Sequence, residues 1–276
     1  MTLSEYVRAN ITDDASALPL SACRIINERL LGKAPHASSV VMMAVPYPRK
    51  TSGLLASFAR LPDYHGYFSR FEDEAHALLS ERYGDVTLKI FADHSPIDER
   101  RAACAAGLGL IGDNGLFISK KYGSFVFLGE AIVSLNEEEM RHEGFDLTLR
   151  EAEGCLHCGA CRDACPAGCI GGDKSLCVSA ITQKKGVLTD TERDILIKGG
   201  SAWGCDVCQS VCPMTGDASP EFNEYFLTGA FDVNDISDVE RLTDEEYARY
   251  PFSWRRRDVI ERNLTILEHG KEAPDD

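Results

Sequence analysis

Cys155, Cys158, Cys161 and Cys165, followed by Pro166, are spaced C-x2-C-x2-C-x3-C-P. Thiolates at two-residue gaps can reach different irons of one cubane cluster from a single tight loop, and the longer gap carries the fourth thiolate toward a second cube. The proline fixes φ and stops a helix from continuing through it. A second run, Cys205-x2-Cys208-x3-Cys212-Pro213, repeats the pattern with one cysteine missing, and Cys177 between the runs can replace it. The assignment then closes: Cys155, Cys158, Cys161 and Cys212 hold one [4Fe–4S] cube, and Cys165, Cys177, Cys205 and Cys208 hold the other. Pairs of the C-x2-C type also build structural zinc sites, but zinc does not call for two runs that each end in Cys-Pro. The chemistry of such a set is one-electron transfer. Cys23 and Cys104 lie in apolar helical contexts and read as small core residues. Cys169 is surplus, expected to pack against a cube without ligating it.

The bulk properties agree with this use of thiols. The chain has 276 residues, 44% hydrophobic and 26% charged, as in an ordinary globular protein. No apolar run approaches the ~20 residues of a membrane span, and the N-terminus has no basic flank before an apolar stretch. The expected setting is a reducing cytoplasm with no membrane partner, where disulfides are rare and eleven cysteines call for metal. Net charge is −15, and residues 220–276 alone carry 15 acids against 7 bases. That balance disfavours extensive contact with a phosphate backbone. The single basic run, Arg255-Arg256-Arg257, reads as solvated surface.

The elements that must position these residues alternate between sheet and helix. Ser38–Pro48 is a short apolar run ending in prolines and predicts a buried strand. Phe71, Ala75, Leu78, Leu79 and Tyr83 fall at helical spacing, with Gly84 as a stop. Val86–Asp93 alternates as a strand, the segment from Glu99 reads as a helix running into a glycine-rich turn, and Gly123–Leu135 reads as another strand. The fold expected is α+β: an N-terminal α/β sheet domain over residues 1–149, a bacterial-ferredoxin-like double-cluster module over 150–220, and an acidic tail of two short helices over 221–276.

Beyond the cysteines, an ordered series of segments resembles the epoxyqueuosine reductases. "DYH" at Asp63–His65 is one, and "ADHSPIDER" at Ala92–Arg100 is similar to that family's D-x-G-P-x-x-x-R. "AAGLGLIGDNGLFIS" and "GSFVFLGE" follow, then the first cysteine run, Cys177, "GCDVCQSVCP" at Gly204–Pro213, and "RRRDVIERN" at Arg255–Asn263. The family's glycine-rich turn often reads Gly-Lys-Asn, where this chain has Gly112-Asp113-Asn114-Gly115.

The resemblance implies an enzyme, a cobalamin-dependent oxidoreductase of queuosine tRNA modification. Its N-terminal domain would hold cobalamin base-off, and the clusters, fed by an external low-potential electron donor, would reduce the cobalt. The reduced corrin would then take the epoxide oxygen from the modified base to leave the alkene and water. The family's proton donor falls on Asp93, whose residue-level alternative is a cap of the following Ser-Pro turn. Arg100 would bind or orient polar groups of substrate or corrin. Tyr64 and His65 either touch the cofactor or pack, and Asp206 and Gln209 either hydrogen-bond the corrin edge or cap their loop. tRNA is the partner that the resemblance implies and that the net charge of −15 opposes. Two alternatives remain: the same architecture acting on a small non-tRNA substrate, and a double-cluster electron carrier without cobalamin.

Overall fold

The computed structural model describes residues 1–150 and 154–272. The chain divides into two compact units. One takes Met1–Pro46, Tyr64–Leu156 and Asp217–Asn223; the other takes Tyr47–Asp63, His157–Gly216 and Glu224–Asp276.

The first unit is organised by β1 (Ala15–Pro19), β2 (Ser39–Pro46), β3 (Leu88–Phe91), β4 (Gly109–Ile111), β5 (Phe117–Ser119) and β6 (Val126–Val133). Four of these form a sheet in the order β1-β2-β6-β3, with every neighbouring pair antiparallel, while β4 and β5 make a separate hairpin. The expected mixture of helix and sheet is present. β2 is buried along its whole length, because both faces of the sheet are covered, and this accounts for an unbroken apolar run where a half-exposed strand would alternate. On one face, Val40, Met42, Leu128 and Ile132 pack with Ala102 and Ala103 of the helix Glu99–Ala105. On the other, Phe68 of the helix Tyr64–Ser69 lies so close to Gly129 that a Cβ there would sit 2.3 Å from its ring. Glycine at that point lets the helix rest on the strand. The helix Glu72–Tyr83 ends at Gly84, as its spacing predicts.

In the second unit, Leu196, Trp203, Ile260 and Leu264 are fully buried in one core that also takes Leu55 and Ala59. The segment after Tyr47 is tied in by backbone bonds: Leu54 N–H donates to the Val233 carbonyl at 2.7 Å, Ala56 N–H to Trp203 at 2.8 Å, and Leu54 accepts from Ala202 N–H at 2.6 Å. The tail differs from expectation. After the short helices Ile236–Glu240 and Asp244–Tyr247 comes a third, Arg257–Glu272, of 16 residues. Its charged residues obscure the stripe of Ile260, Leu264 and Leu267 that packs it into the core.

The basic run is a further correction. Arg255 donates to the Gln183 carbonyl at 3.0 Å, and Arg257 to the Val239 and Leu242 carbonyls at 2.8 and 2.7 Å. These carbonyls lie at or just beyond the ends of the helices Val178–Thr182 and Ile236–Glu240, where orphan acceptors favour cations. Only Arg256 is fully exposed. No helix among the described residues is long and apolar enough to cross a membrane.

Candidate functional site

The cysteine loops are irregular for a local reason. His157 and Gly159 flank Cys158 with φ of 50° and 81°, so the backbone turns back on itself on both sides of that thiol. Helix is confined to single turns: Ala160–Asp163, which ends before Cys165, Val207–Ser210, which holds Cys208, and Pro213–Gly216, which Pro213 opens. Cys177 links the turn Lys174–Leu176 to the helix Val178–Thr182. None of the eleven cysteines is in a disulfide.

Burial pushes the Cys165 thiol up, but hydrogen bonds from the Cys169, Ala167 and Gly168 backbone N–H groups and from the Cys169 thiol outweigh it and hold it below the usual range. Such N–H···S donors are what a cluster thiolate needs. Burial raises the Cys205 thiol, and Cys177, Asp206 and Cys165 add to the effect, so three of the four thiols expected on one cube stand within electrostatic reach of each other. Cys169 is buried with its Sγ 3.6 Å from that of Cys165. Burial, helped by Cys165 and Cys177, raises it to about 12 and keeps it protonated. Of the other set, Cys158, Cys161 and Cys212 belong to the second unit.

Asp206 and Gln209, between these cysteines, are buried. Asp206 Oδ2 accepts from both the backbone N–H and the hydroxyl of Ser57, each at 2.7 Å, and Oδ1 accepts from Gln209 Nε2 at 2.8 Å. Tyr47 is buried in the same network, its phenol raised by burial and by the Asp206 charge. Both carboxylate oxygens are thus engaged within the unit, where the sequence suggested a corrin contact or a loop cap. Ser57 carried no sequence signal of this role. Asn263 is likewise fully buried, donating to the Thr182 and Ala202 carbonyls at 2.7 and 2.8 Å beside the Gly204–Cys205 turn.

In the first unit, the chain leaves β3 at Phe91 and bends at Asp93, whose φ is +57°. The His94 N–H to Ala92 carbonyl bond at 2.6 Å and the Ser95 N–H to Asp93 carbonyl bond at 3.0 Å make the bend tight. Its side chain is exposed, and its N–H donates to Glu99 Oε2 at 3.1 Å. A non-glycine residue held in this region costs about 1–3 kcal/mol and is concentrated at functional sites. Phe91 lies opposite Glu130, so the antiparallel register sends the bend toward the start of β6, where Phe127 sits. Tyr64 stacks on Phe127 with ring centroids 4.3 Å apart and on the exposed His65 at 4.5 Å. One end of the sheet therefore carries the buried Phe127 under the half-buried Tyr64, the exposed His65 and the exposed Asp93 carboxyl. Arg100 donates to the Gly115 carbonyl at 2.7 Å and braces the turn between β4 and β5.

Sequence reasoning passed over Glu130. It is completely buried in the middle of β6, and neither carboxyl oxygen has a hydrogen-bond partner. A lone glutamate inside an apolar strand was the signal available.

Thiols on two such loops define a double-cluster iron–sulfur protein, and residues 154–215 match the family model for a 4Fe-4S double cluster binding domain. Among curated relatives, an epoxyqueuosine reductase of Staphylococcus aureus is 31% identical over 87% of this chain and 66% of its own length. The enzyme of Lactococcus garvieae is 29% identical over 94% and 78%, and that of Bacillus subtilis 28% over 87% and 65%. The fold matches the solved epoxyqueuosine reductase of Streptococcus thermophilus, with a TM-score of 0.78 at 22% identity over 98% of this chain and 81% of that one. It also matches an epoxyqueuosine reductase solved with an epoxyqueuosine-modified tRNA-Tyr stem loop, with a TM-score of 0.77 at 23% identity over the same shares. The chain belongs to the epoxyqueuosine reductase family. It spans about two thirds of the length of most of the curated relatives it matches.

Proposed function

We propose that this chain is an iron–sulfur reductase that removes the epoxide oxygen of epoxyqueuosine in tRNA, with two [4Fe–4S] clusters and base-off cobalamin as cofactors. The observation that carries the reading is the pairing of a double-cluster module with an exposed, conformationally constrained Asp93 in the position of the family's proton donor. The cluster ligands are the two sets of four cysteines named above, and an external low-potential one-electron donor feeds them. Cobalamin, held base-off, would supply the two-electron reducing chemistry that the epoxide requires. The overall change breaks the two C–O bonds of the epoxide and forms one C=C bond. It consumes two electrons and two protons and releases water.

The chain's own residues handle orientation and protons. Asp93 presents its carboxyl from a bend fixed by Glu99, and it protonates the departing oxygen. The Tyr64–Phe127 stack gives the corrin an apolar surface, and His65 forms its exposed rim. Arg100 holds the glycine-rich turn in place. Asp206 and Gln209 shape the second cysteine loop rather than offering free polar groups.

One observation favours a second reading, the same chemistry on a smaller substrate. Arg255 and Arg257 of the single basic run are engaged by backbone carbonyls, and acids outnumber bases 44 to 29 in the chain. The test is to reconstitute the protein anaerobically with iron and sulfide and titrate it with cob(II)alamin. A stoichiometric base-off signal in paramagnetic resonance supports both cobalamin readings. Its absence beside two intact clusters leaves an electron carrier. Conversion of a modified stem loop, or its failure with cobalamin bound, then separates tRNA from a smaller substrate.

A further inference from the structure

Glu130 stands out among the buried polar groups of the described residues. It has zero exposure, and both of its oxygens lack a hydrogen-bond partner. It lies on the face of β6 that packs against the helix Glu99–Ala105, between Leu128 and Ile132 of that core. Its register partner Phe91 is two residues from Asp93, and the half-buried Glu99 accepts from the Asp93 N–H and acts on Glu130 through its charge.

The groups that face Glu130 make ionisation unfavourable. From the helix and the bend come Glu99 and Asp93, both acidic, and from the segment after β1 comes the Cys23 thiol. The Ser95 hydroxyl, which accepts from the Ile97 N–H at 3.0 Å and keeps its own proton to donate, offsets this only in part. Burial, then Glu99, pushes the Glu130 carboxyl well above the carboxylate range. Burial, then Asp93, brings Glu99 to about 7. A divalent cation is the other use for three acids, but its ligand atoms must converge, and among the described residues no set that includes Glu130 has ligand atoms within 4.8 Å of one another.

We propose that Glu130 is the proton store of the site, a carboxylic acid enclosed between sheet and helix that passes its proton through Glu99 to the bend carrying Asp93. The destination of that proton rests on the reductase reading above. Epoxide removal needs two protons, and one carboxyl at Asp93 delivers one per charge. Glu99 reprotonates Asp93, Glu130 reprotonates Glu99, and solvent refills the store between turnovers, while the two electrons come from the external donor through the clusters. Glu130 and Glu99 are positioning and proton-supply residues, and Asp93 alone faces the substrate.

The test pairs infrared spectroscopy of the resting holoprotein with turnover. At neutral pH, the wild type is expected to show a carboxylic-acid carbonyl band that shifts in D2O and is missing in Glu130→Gln. In a protein that turns over, Glu130→Gln should lower kcat at least tenfold with KM unchanged, move the pH profile and raise the solvent isotope effect. Glu99→Gln keeps an acceptor for the Asp93 N–H and sits at a more accessible position, so it should repeat those changes even if the buried variant folds poorly. A band unchanged in Glu130→Gln, or wild-type kcat and pH profile in both variants, would overturn the proposal. A wild type that shows the band but converts no substrate would count against the reductase reading and not against the protonated Glu130.

Discussion

Ser57 gives both its backbone N–H and its hydroxyl to a single oxygen of Asp206, each at 2.7 Å. A residue 149 positions earlier in the chain thereby fixes the carboxylate that sits between Cys205 and Cys208. Charge-assisted bonds of this kind are strong, and removing one leaves a buried carboxylate short of donors. Ser57→Ala should cost about 1.5–3 kcal/mol in denaturant unfolding of the holoprotein. It should also speed loss of the visible cluster absorbance on exposure to air. Unchanged stability and unchanged cluster lifetime would show that the contact does not support the loop.

Asn263 donates to two buried carbonyls, Thr182 at 2.7 Å and Ala202 at 2.8 Å. Asn263→Ala strands both inside the core and should cost about 2–4 kcal/mol. Asn263→Asp keeps an acceptor for Arg262, which donates to Oδ1 at 2.7 Å, but loses both donors to the carbonyls and should also destabilise the fold. Thermal unfolding of both variants provides the check.

Cys177 is the cysteine that stands outside both runs. If it completes the cube of Cys165, Cys205 and Cys208, Cys177→Ala should bring bound iron from about eight to about four per chain and leave one cluster signal. Cys169→Ala should keep all the iron if Cys169, whose Sγ lies 3.6 Å from that of Cys165, packs on a cube without ligating it.

The raised carboxyls of Glu130 and Glu99 set the sign of a pH effect on stability. Above the ordinary carboxylate range the unfolded chain releases these protons while the folded chain keeps them. The folded state then binds more protons, and stability falls as pH rises toward the folded values. The slope from Glu130 is at most about 1.4 kcal/mol per pH unit. Between pH 5 and 7, Glu130→Gln should flatten the decline measured by denaturant unfolding, and an unaltered slope would show that Glu130 is ionised in the fold.

Much of this was legible in the sequence because cluster chemistry demands cysteines at fixed intervals. Strands such as β2 were visible as short apolar runs, and Gly84 marked the end of its helix. Less legible were contacts made at long range. Nothing local in Ser57 or Asn263 says which carboxylate or carbonyl it will meet 149 or 81 residues away. The triple arginine looked like a charged surface, because caps on distant helix ends leave no trace in the spacing. Glu130 was visible as a misplaced charge, but its relation to Glu99 and Asp93 depends on the pairing of β3 with β6.

In the proposed reaction the proton transfer turns on Asp93. Asp93→Asn should leave cluster content and cobalamin binding intact and lower turnover by about 10²–10⁴-fold, the usual range for loss of a general acid.

The most direct measurement is a single-turnover reaction. The protein is reconstituted with iron, sulfide and cobalamin, reduced by a low-potential donor without air, and mixed with a tRNA stem loop carrying epoxyqueuosine. Conversion to the alkene base, with one water released per site, is the expected result. An unconverted substrate beside two intact clusters and bound, reduced cobalamin would contradict it.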